Sequence, residues 1–355
     1  MVTLATLQNT FDEVGEKYHV LRIGDEMHIF ITQRGARVLG IFPAPDSHNL
    51  LWSNEALYTA DGFRAFRESG NWNMGGERCW IAPEVQYNIT DRIRFFETLS
   101  VPPRMDPGQY TFMVDGNRVN LRATMELEAH VLATGKKTIF VNRSIAPTAN
   151  PFLWHHDGIA LADTVSFGGY TQEVTLKDTN DSDILSEIWN LVQVIAGGTL
   201  IIPCTPTLDV SDYFGSPTDE TKHVERGAVR IPITGARQFK VGYKALCMSG
   251  RMGYYRELYD GTASLLVRHF PNNPGNPYAE EPPALPNVRG HSVHVYNDDG
   301  GMGGENNFGE MECTGTTIGR SLGKKEATDL FQIWVYAGAP SAVKALLPYV
   351  LGVDW

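Results

Sequence analysis

The 355-residue sequence lacks the features of membrane proteins and of nucleic-acid-binding proteins. It has no run of about eighteen apolar residues that could cross a bilayer, and residues 1–20 lack the basic and apolar regions of a secretion signal. It also lacks long runs of lysine or arginine, and its formal net charge at pH 7 is −11. This charge disfavours phosphate backbones and anionic lipids as partners. We therefore expect a cytoplasmic protein with no nucleic-acid or membrane partner and with a neutral or cationic ligand.

Cysteine is scarce, and the signatures of metal and nucleotide sites are missing. The cysteines are far apart and form no CxxC pair: Cys79, Cys204, Cys247 and Cys313. Neither a zinc knuckle nor a disulfide framework is therefore indicated. The sequence has no HExxH motif, no GxSxG elbow, no Walker glycine loop and no dinucleotide fingerprint, which excludes the enzyme classes that depend on them. We expect reduced cysteines, no cofactor and no metal.

The sequence does contain a series of short strand patterns separated by turns. Alternating runs such as MHIFIT, KTIFVNRSI and NFGEMEC recur, and 35 glycines and 20 prolines provide turns between them. Residues 27–42 and 110–129 each predict a hairpin, the second with Asp115-Gly116 at its turn. Helical spacing is found only in residues 181–193 and 341–352, too little to connect a parallel sheet. These patterns predict an all-β, antiparallel fold with few short helices.

The whole chain, residues 1–355, is expected to form one domain. All-β sandwiches and barrels often exceed the usual domain length, and no repeat divides the sequence. The Pro-rich residues 269–290 resemble a linker, but strand patterns resume immediately after them. A long surface loop explains this segment better, and such loops on β scaffolds often shape binding sites.

Residues 71–84, NWNMGGERCWIAPE, combine the charged guanidinium group of an arginine with the aromatic rings of two tryptophans. Two adjacent glycines permit a backbone turn that other residues avoid, and Trp72, Arg78 and Trp80 lie around it. Sugars favour this mixture, because their hydroxyl groups need multidentate donors and their C–H faces pack on indole rings. The alternative is structural: both tryptophans lie in the core, and Arg78 pairs with a local acid such as Glu84.

Two segments carry histidines that could act as acids. His155 and His156 are adjacent, so on a strand they point to opposite faces and only one can face a given pocket. A histidine can protonate a sugar ring oxygen near neutral pH, although a structural histidine is the commoner case. His291 and His294 are three residues apart, and the same rule predicts opposite faces for them.

The run NFGEMECTG, residues 307–315, places two carboxylates on one face of a strand. Glu310 and Glu312 share the open face, while the intervening apolar residues point into the core. Neighbouring carboxylates raise each other's pKa, which suits one of them to general acid or base chemistry. An exposed acidic strand face is the structural alternative. A divalent-metal site formed by His156 with both glutamates is a further alternative, without support from ligand spacing.

Taken together, these motifs resemble those of the galactose mutarotase-like superfamily, the aldose 1-epimerases and their relatives. In particular, the sequence resembles an uncharacterised bacterial branch that carries a GG-[DE]-R-x-W-x-x-PE segment early, a YND segment late and an E-x-E segment after it. Order and spacing agree over about residues 20–345. In this sequence the matching residues are Gly75-Gly76-Glu77-Arg78-Cys79-Trp80, Pro83-Glu84, Tyr296-Asn297-Asp298 and Glu310-Met311-Glu312.

The resemblance implies an antiparallel β-supersandwich that binds a mono- or oligosaccharide and acts at its anomeric centre. In aldose 1-epimerases a glutamate near the C-terminus takes the proton of the anomeric hydroxyl, and a histidine protonates the ring oxygen. By position, Glu312 is the expected base with Glu310 second, and His155 or His156 is the expected acid. Arg78 would hold a hydroxyl group. The other candidate substrate-binding residues are Trp72, Trp80, Glu84 and Asn297.

Two departures from the family pattern keep other functions open. The NH-x-x-F-N-L segment that carries the family's second histidine is absent, and Pro-Gln does not follow the C-terminal glutamate. The same scaffold also carries lyases and sugar binders. The alternatives are therefore a non-catalytic carbohydrate-binding protein and a lyase or isomerase that acts on uronic-acid sugars, in which Arg78 would bind the carboxylate.

Overall fold

The computed structural model describes residues 2–24, 26–154, 163–300 and 307–355, and most of them belong to two large antiparallel sheets. Within these ranges the strands are β1 (Tyr18–Arg22), β2 (His28–Thr32), β3 (Arg37–Phe42), β4 (Glu77–Ala82), β5 (Thr111–Asp115), β6 (Arg118–Ala129), β7 (Gly135–Pro147), β8 (Val165–Asp178), β9 (Glu187–Ile195), β10 (Gly198–Pro203), β11 (Val210–Gly215), β12 (Val224–Glu225), β13 (Ala228–Ile233), β14 (Phe239–Lys244), β15 (Arg251–Glu257), β16 (Ala263–His269), β17 (His291–Asn297), β18 (Phe308–Thr314) and β19 (Glu326–Gly338).

Helices are few and short in the described ranges. They are α1 (Leu4–Val14), α2 (Ala60–Glu68), α3 (Glu84–Tyr87), α4 (Phe95–Thr98), α5 (Pro340–Ala345) and α6 (Leu347–Val350). Single turns of 3-10 type lie at Arg34–Ala36, Glu55–Tyr58, Pro151–Trp154, Asp219–Lys222, Ala245–Cys247 and Arg320–Leu322, and one π turn lies at Arg104–Gly108. None of the helices in the described part of the chain is long and apolar enough to cross a membrane.

The two sheets form a sandwich. The first has nine strands in the order β1-β2-β3-β4-β9-β18-β17-β14-β11, and the second has ten in the order β12-β13-β10-β15-β16-β19-β8-β7-β6-β5. Val192, Met311 and Val295 from the first sheet and Leu176 and Ile333 from the second are buried in one apolar core. Full burial of such a side chain stabilises the fold by roughly 1.5–3 kcal/mol. The prediction of an all-β antiparallel fold is confirmed.

Two adjacent glycines allow β4 to enter the first sheet. Gly75 and Gly76 have φ angles of 94° and 73°, in the left-handed region that side chains disfavour. A Cβ on Gly75 would lie 2.4 Å from the Trp52 carbonyl oxygen, and one on Gly76 would lie 2.4 Å from that of Val38. Only glycine fits this close backbone approach, so the pair fixes where β4 begins.

Glu77, the first residue of β4, connects the two sheets through buried charges. Its carboxylate accepts hydrogen bonds from Arg143 Nη2 and Arg268 Nη2, both at 2.7 Å, and from the Tyr170 hydroxyl at 2.9 Å. Gln172 Nε2 also donates to it. All these partners come from the second sheet, and both arginines are fully buried. A buried carboxylate is stable only when it is paired in this way.

The individual sequence predictions have mixed outcomes. Both predicted hairpins form, as β2–β3 and β5–β6, and most of residues 341–352 are helical as predicted, within α5 and α6. The prediction that helical spacing is confined to two segments is wrong, because α1 and α2 lie outside them. The prediction of a helix in residues 181–193 is wrong, because Glu187–Ile195 is β9. This strand lies between β4 and β18, where both of its faces are covered, so its apolar residues do not alternate with polar ones.

Candidate functional site

A cavity of about 480 Å³ lies on the face of the first sheet that points away from the core, with walls from neighbouring strands and loops. Ligand pockets typically enclose roughly 300–1,000 Å³. The register of the strands places the floor residues next to one another. Arg78 of β4 and Glu312 of β18 both pair with Leu191 of β9, which lies between these two strands. Tyr296 of β17 pairs with Glu310 of β18. Residues paired across strands project to the same face. The floor residues are Arg78, Trp80, Trp189, Lys240, Tyr296, Glu310 and Glu312.

The cavity is roofed by the chain that follows β4. The roof segment, residues 88–103, brings Phe95, Phe96 and Leu99 over the sheet as part of the cavity lining. Beneath it the Glu312 side chain is 0% exposed and that of Arg78 is 2% exposed. The sequence predicted an open face for the carboxylates, but the structure covers it, and charged interactions inside are therefore poorly screened by water.

Contacts at several points hold the roof segment in place. Arg92 Nη2 forms an ion pair with Glu281 Oε2 at 2.7 Å, and Arg92 Nε donates to the Pro283 carbonyl at 2.8 Å. Both partners lie in the loop of residues 270–290, which contacts the roof segment but contributes no residue to the cavity lining. At the other end, the Phe96 ring lies 5.1 Å from that of Phe214 on β11.

Arg78 lies between two tryptophans and one glutamate. Its guanidinium carbon is 5.2 Å from the Trp72 ring centroid and 4.2 Å from that of Trp80, distances typical of cation–π contacts. Its Nη2 is 2.9 Å from Glu310 Oε1. The alternative in which Arg78 pairs with Glu84 is wrong, because Glu84 pairs with Lys240 instead.

The two carboxylates on β18 have different partners. Glu310 Oε1 accepts from Arg78 Nη2 and from Gln193 Nε2, each at 2.9 Å. Glu312 Oε2 accepts from Trp189 Nε1 at 2.8 Å and lies 3.2 Å from Lys240 Nζ. Glu312 Oε1 has no partner among the described residues. Donors to one oxygen only leave the other oxygen of Glu312 available for chemistry.

Burial raises the pKa of the Glu312 carboxyl to about 7, because desolvation disfavours its charged form. The Lys240 ammonium opposes this shift, while the nearby Glu310 and Glu84 carboxylates reinforce it. Lys240 shows the reverse balance: burial lowers its pKa, but the charges of Glu312, Glu84 and Glu280 raise it above the ordinary value overall. Lys240 therefore stays charged while Glu312 can exchange a proton near neutral pH.

Sequence reasoning missed Lys240 and the residues around it. Lys240 Nζ lies 2.8 Å from Glu84 Oε2 and 4.2 Å from the Trp189 ring centroid. Glu280, from the loop of residues 270–290, accepts a hydrogen bond from the Glu84 backbone N–H. Burial, reinforced by the Glu84 charge, raises the pKa of Glu280 to about 8. The available signal was the lysine within the strand run FKVGYK, on the face opposite to Phe239 and Val241.

The cavity brings together six of the predicted site residues, which all contribute to its lining: Trp72, Arg78, Trp80, Glu84, Glu310 and Glu312. Asn297 is not in the lining. Its amide accepts from the Thr234 and Gly235 backbone and donates to the Arg237 carbonyl, so it holds a loop. His155 and His156 lie outside the described residues.

The prediction that His291 and His294 face opposite sides is wrong. The register of β17 against β14 shifts between Tyr243 and Lys244, which leaves one extra residue on β17 and turns His291 to the same side. The Tyr213 hydroxyl lies 2.9 Å from His294 Nε2 and 3.2 Å from His291 Nδ1. Burial lowers the pKa of both imidazoles, that of His291 to about 3, so both are neutral.

Within the described ranges, no group of three or more His, Cys, Asp or Glu side chains is arranged to hold a metal ion. Between Glu84 and Glu312 the cation is the Lys240 ammonium, which contacts both carboxylates.

The fold is similar to that of solved structures. A protein from Escherichia coli K12, provisionally named an aldose 1-epimerase, aligns with a TM-score of 0.54 and 9% identity over 90% of this chain and 99% of its own. A galactose mutarotase-like protein from Lactobacillus casei aligns with a TM-score of 0.50 and 9% identity over 90% of this chain and 100% of its own. At this identity the likeness shows the fold, a galactose mutarotase-like β-sandwich. Comparison of the sequence with family models and with curated proteins gives no match.

Proposed function

We propose that this protein is a carbohydrate-active enzyme in which Glu312 is the general base at the anomeric centre of a sugar. One observation carries the proposal: a buried glutamate with a pKa near 7 and an unpaired oxygen lines an aromatic cavity. General bases work best when their pKa lies near the working pH. The fold supports the same reading, since the similar Escherichia coli protein bears the name of an aldose 1-epimerase.

In the proposed reaction, Glu312 Oε1 accepts the proton of the anomeric hydroxyl. The electrons of that O–H bond form the C1 carbonyl as the bond between C1 and the ring oxygen breaks, and the ring oxygen takes a proton from an acid. Rotation about C1–C2 and reversal of these steps give the other anomer. Trp189 and Lys240 hold Oε2 and so keep Oε1 directed at the substrate. The acid role is assigned to His155 or His156 from the sequence alone.

Arg78, Trp72 and Trp80 are the proposed binding residues. The indole rings supply flat apolar surfaces for the C–H face of a sugar ring, and the guanidinium supplies donors for a hydroxyl group. Glu84 acts through Lys240, with which it forms an ion pair. Glu310, held by Arg78 and Gln193, lies close enough to add to the raised pKa of Glu312.

A carbohydrate-binding protein without catalysis is the second candidate. The closed roof favours it, because Glu312 lies beneath the roof segment with no exposed surface. A lyase or isomerase of uronic acids is disfavoured. Arg78 and Lys240, the cations that the described residues bring to the cavity, already form ion pairs with Glu310 and Glu84.

Proton NMR of anomer interconversion tests the proposal. Freshly dissolved α-glucose, α-galactose and several pentoses are followed with and without the protein. We expect acceleration, and we expect Glu312→Gln to lower the rate by about 100-fold or more, the usual contribution of a general base. Glu68→Gln, an exposed glutamate at the end of α2, is the control and should retain full activity. Sugar binding with only the spontaneous rate in the wild-type protein would support the non-catalytic candidate instead.

A further inference from the structure

Several residues that line the cavity carry polar atoms without a partner among the described residues, and these atoms form a balanced set. All belong to side chains that are at least nine-tenths buried. Those that donate are Arg78 Nε, Arg78 Nη1 and Asn88 Nδ2, and those that accept are Asn73 Oδ1, Asn88 Oδ1 and Glu312 Oε1. Within the part of the chain that the structure describes, none of these atoms has a hydrogen-bond partner. Buried polar groups of folded proteins are nearly always paired, so such atoms in a cavity bond to its contents.

Asn88 differs from the other members of the set, because both ends of its side chain are unpaired. It is 2% exposed and lies at the end of α3, where the roof segment begins. Its backbone carbonyl accepts from the Ser100 N–H at 2.7 Å, a bond that closes the roof segment on itself. The backbone of Asn88 therefore has a structural role, whereas its side-chain amide makes no hydrogen bond to the described residues.

The combination of hydrogen-bond donors and acceptors in this set indicates which chemical group of a ligand would fit. A hydroxyl group both donates and accepts, so adjacent hydroxyls match an amide that offers one donor and one acceptor. A carboxylate only accepts and would leave Asn88 Oδ1 and Glu312 Oε1 unpaired. An ammonium only donates and would leave Asn88 Nδ2 and the free nitrogens of Arg78 unpaired. A site built on such bonds rejects analogues that leave its buried groups unpaired.

We propose that Asn88 is a ligand-binding residue that reads a pair of adjacent hydroxyl groups and disfavours a charged group in place of either one. This proposal rests on the proposed function, because it takes the occupant to be a sugar. Part of the specificity for the ligand then comes from the roof segment rather than from the sheet. The amide of Asn88 approaches the ligand from above, while Arg78 and Glu312 contact it from the floor.

Calorimetric titration with galactose, galacturonate and galactosamine tests this proposal on the wild-type protein and on Asn88→Ala. We expect the wild type to bind galactose at least tenfold more tightly than galactosamine, in which an ammonium replaces one of two adjacent hydroxyls. Galacturonate keeps its adjacent ring hydroxyls and is the charged control. We expect Asn88→Ala to weaken galactose binding at least tenfold. The unfolding temperature of the variant should be unchanged or higher, because no protein hydrogen bond is lost. Asn117→Ala, in the exposed turn between β5 and β6, is the matched control and should bind as the wild type does.

Asn88→Asp sharpens the test by converting the donor end into an acceptor. We expect this variant to lose galactose affinity and to shift its preference towards galactosamine. The proposal is overturned if Asn88→Ala binds galactose as tightly as the wild type, or if its unfolding temperature falls clearly below that of the wild type. Failure of the wild type to bind any sugar, across this series and the NMR panel, overturns the proposed function itself.

Discussion

Glu310 and Glu312 are two residues apart on one strand, yet their surroundings give them different chemistry. Glu310 accepts from a guanidinium and an amide on the same oxygen. Glu312 is desolvated, and its pKa rises to about 7. Of these two carboxylates, Arg78 contacts Glu310 and Lys240 contacts Glu312.

At the same scale, Glu280 makes the stability of the protein depend on pH. Its pKa is raised to about 8 in the folded state from an ordinary value of 4.5, so the folded protein holds this proton more tightly than the unfolded chain does. The stabilisation from the bound proton is complete below about pH 4.5 and is lost as the pH rises through about 8. Each unit of raised pKa corresponds to about 1.4 kcal/mol.

We therefore expect Glu280→Gln to be more stable than the wild type at pH 9 and equal to it at pH 4.5. Glutamine keeps a carbonyl oxygen for the Glu84 N–H, so the hydrogen bond survives the change. Urea unfolding at both pH values measures the difference, with Glu68→Gln as the exposed control. Equal loss of stability with pH in the wild type and the variant would contradict the assignment.

Of the structural elements, the roof segment makes the largest contribution to the site that the sequence did not predict. It converts the open strand face into a cavity, and Arg92 ties it to the loop of residues 270–290 through Glu281 and two backbone carbonyls. The Glu281 side chain is 1% exposed, so this ion pair is shielded from solvent. Shielded charge-assisted bonds hold a segment more firmly than exposed ones.

Arg92→Ala should loosen the roof segment without unfolding the protein. We expect faster cleavage by chymotrypsin at Phe95 and Phe96, measured by mass spectrometry of the fragments, because local opening exposes these residues. Arg94→Ala is the matched control: Arg94 lies in the same segment, but its side chain is 60% exposed and pairs only with nearby Asp91. Equal cleavage of the two variants would show that the tie through Arg92 does not hold the roof.

The elements also show what the sequence could and could not predict. Alternation in NFGEMEC placed Glu310 and Glu312 on one face because the side-chain period of a strand is local. The helical spacing of residues 181–193 was misleading, since β9 is buried on both faces and its apolar pattern reflects tertiary position. Asn88 gave no signal at all, because its place above the sheet depends on how the roof segment folds back over distant strands.

Across the whole molecule, Glu77 holds the two sheets together through one carboxylate. It is the partner of Arg143 and Arg268, and these three charges are almost completely buried between the sheets. Removal of one member of a buried ion pair typically costs about 3–5 kcal/mol, because the remaining charge is left uncompensated.

Glu77→Gln should therefore lower the free energy of unfolding by about 3 kcal/mol or more, since two buried guanidinium groups would lose their carboxylate. Urea denaturation followed by far-ultraviolet circular dichroism measures the loss. Glu326→Gln, which removes a carboxylate paired with Lys177 on the surface, is the control and should cost less than about 1 kcal/mol. A loss at Glu77 no larger than at Glu326 would mean that the sheets do not depend on this charge.

Glu77 and Arg78 are consecutive residues of β4 that point to opposite sides of the sheet. One-residue slippage of a strand exchanges its two faces. In β4 such a slip would bring the guanidinium of Arg78 against Arg143 and Arg268, and it would bring the carboxylate of Glu77 against Glu310 and Glu312. Both placements are repulsive. The order of these two charges in the sequence therefore disfavours an alignment of β4 that is shifted by one residue.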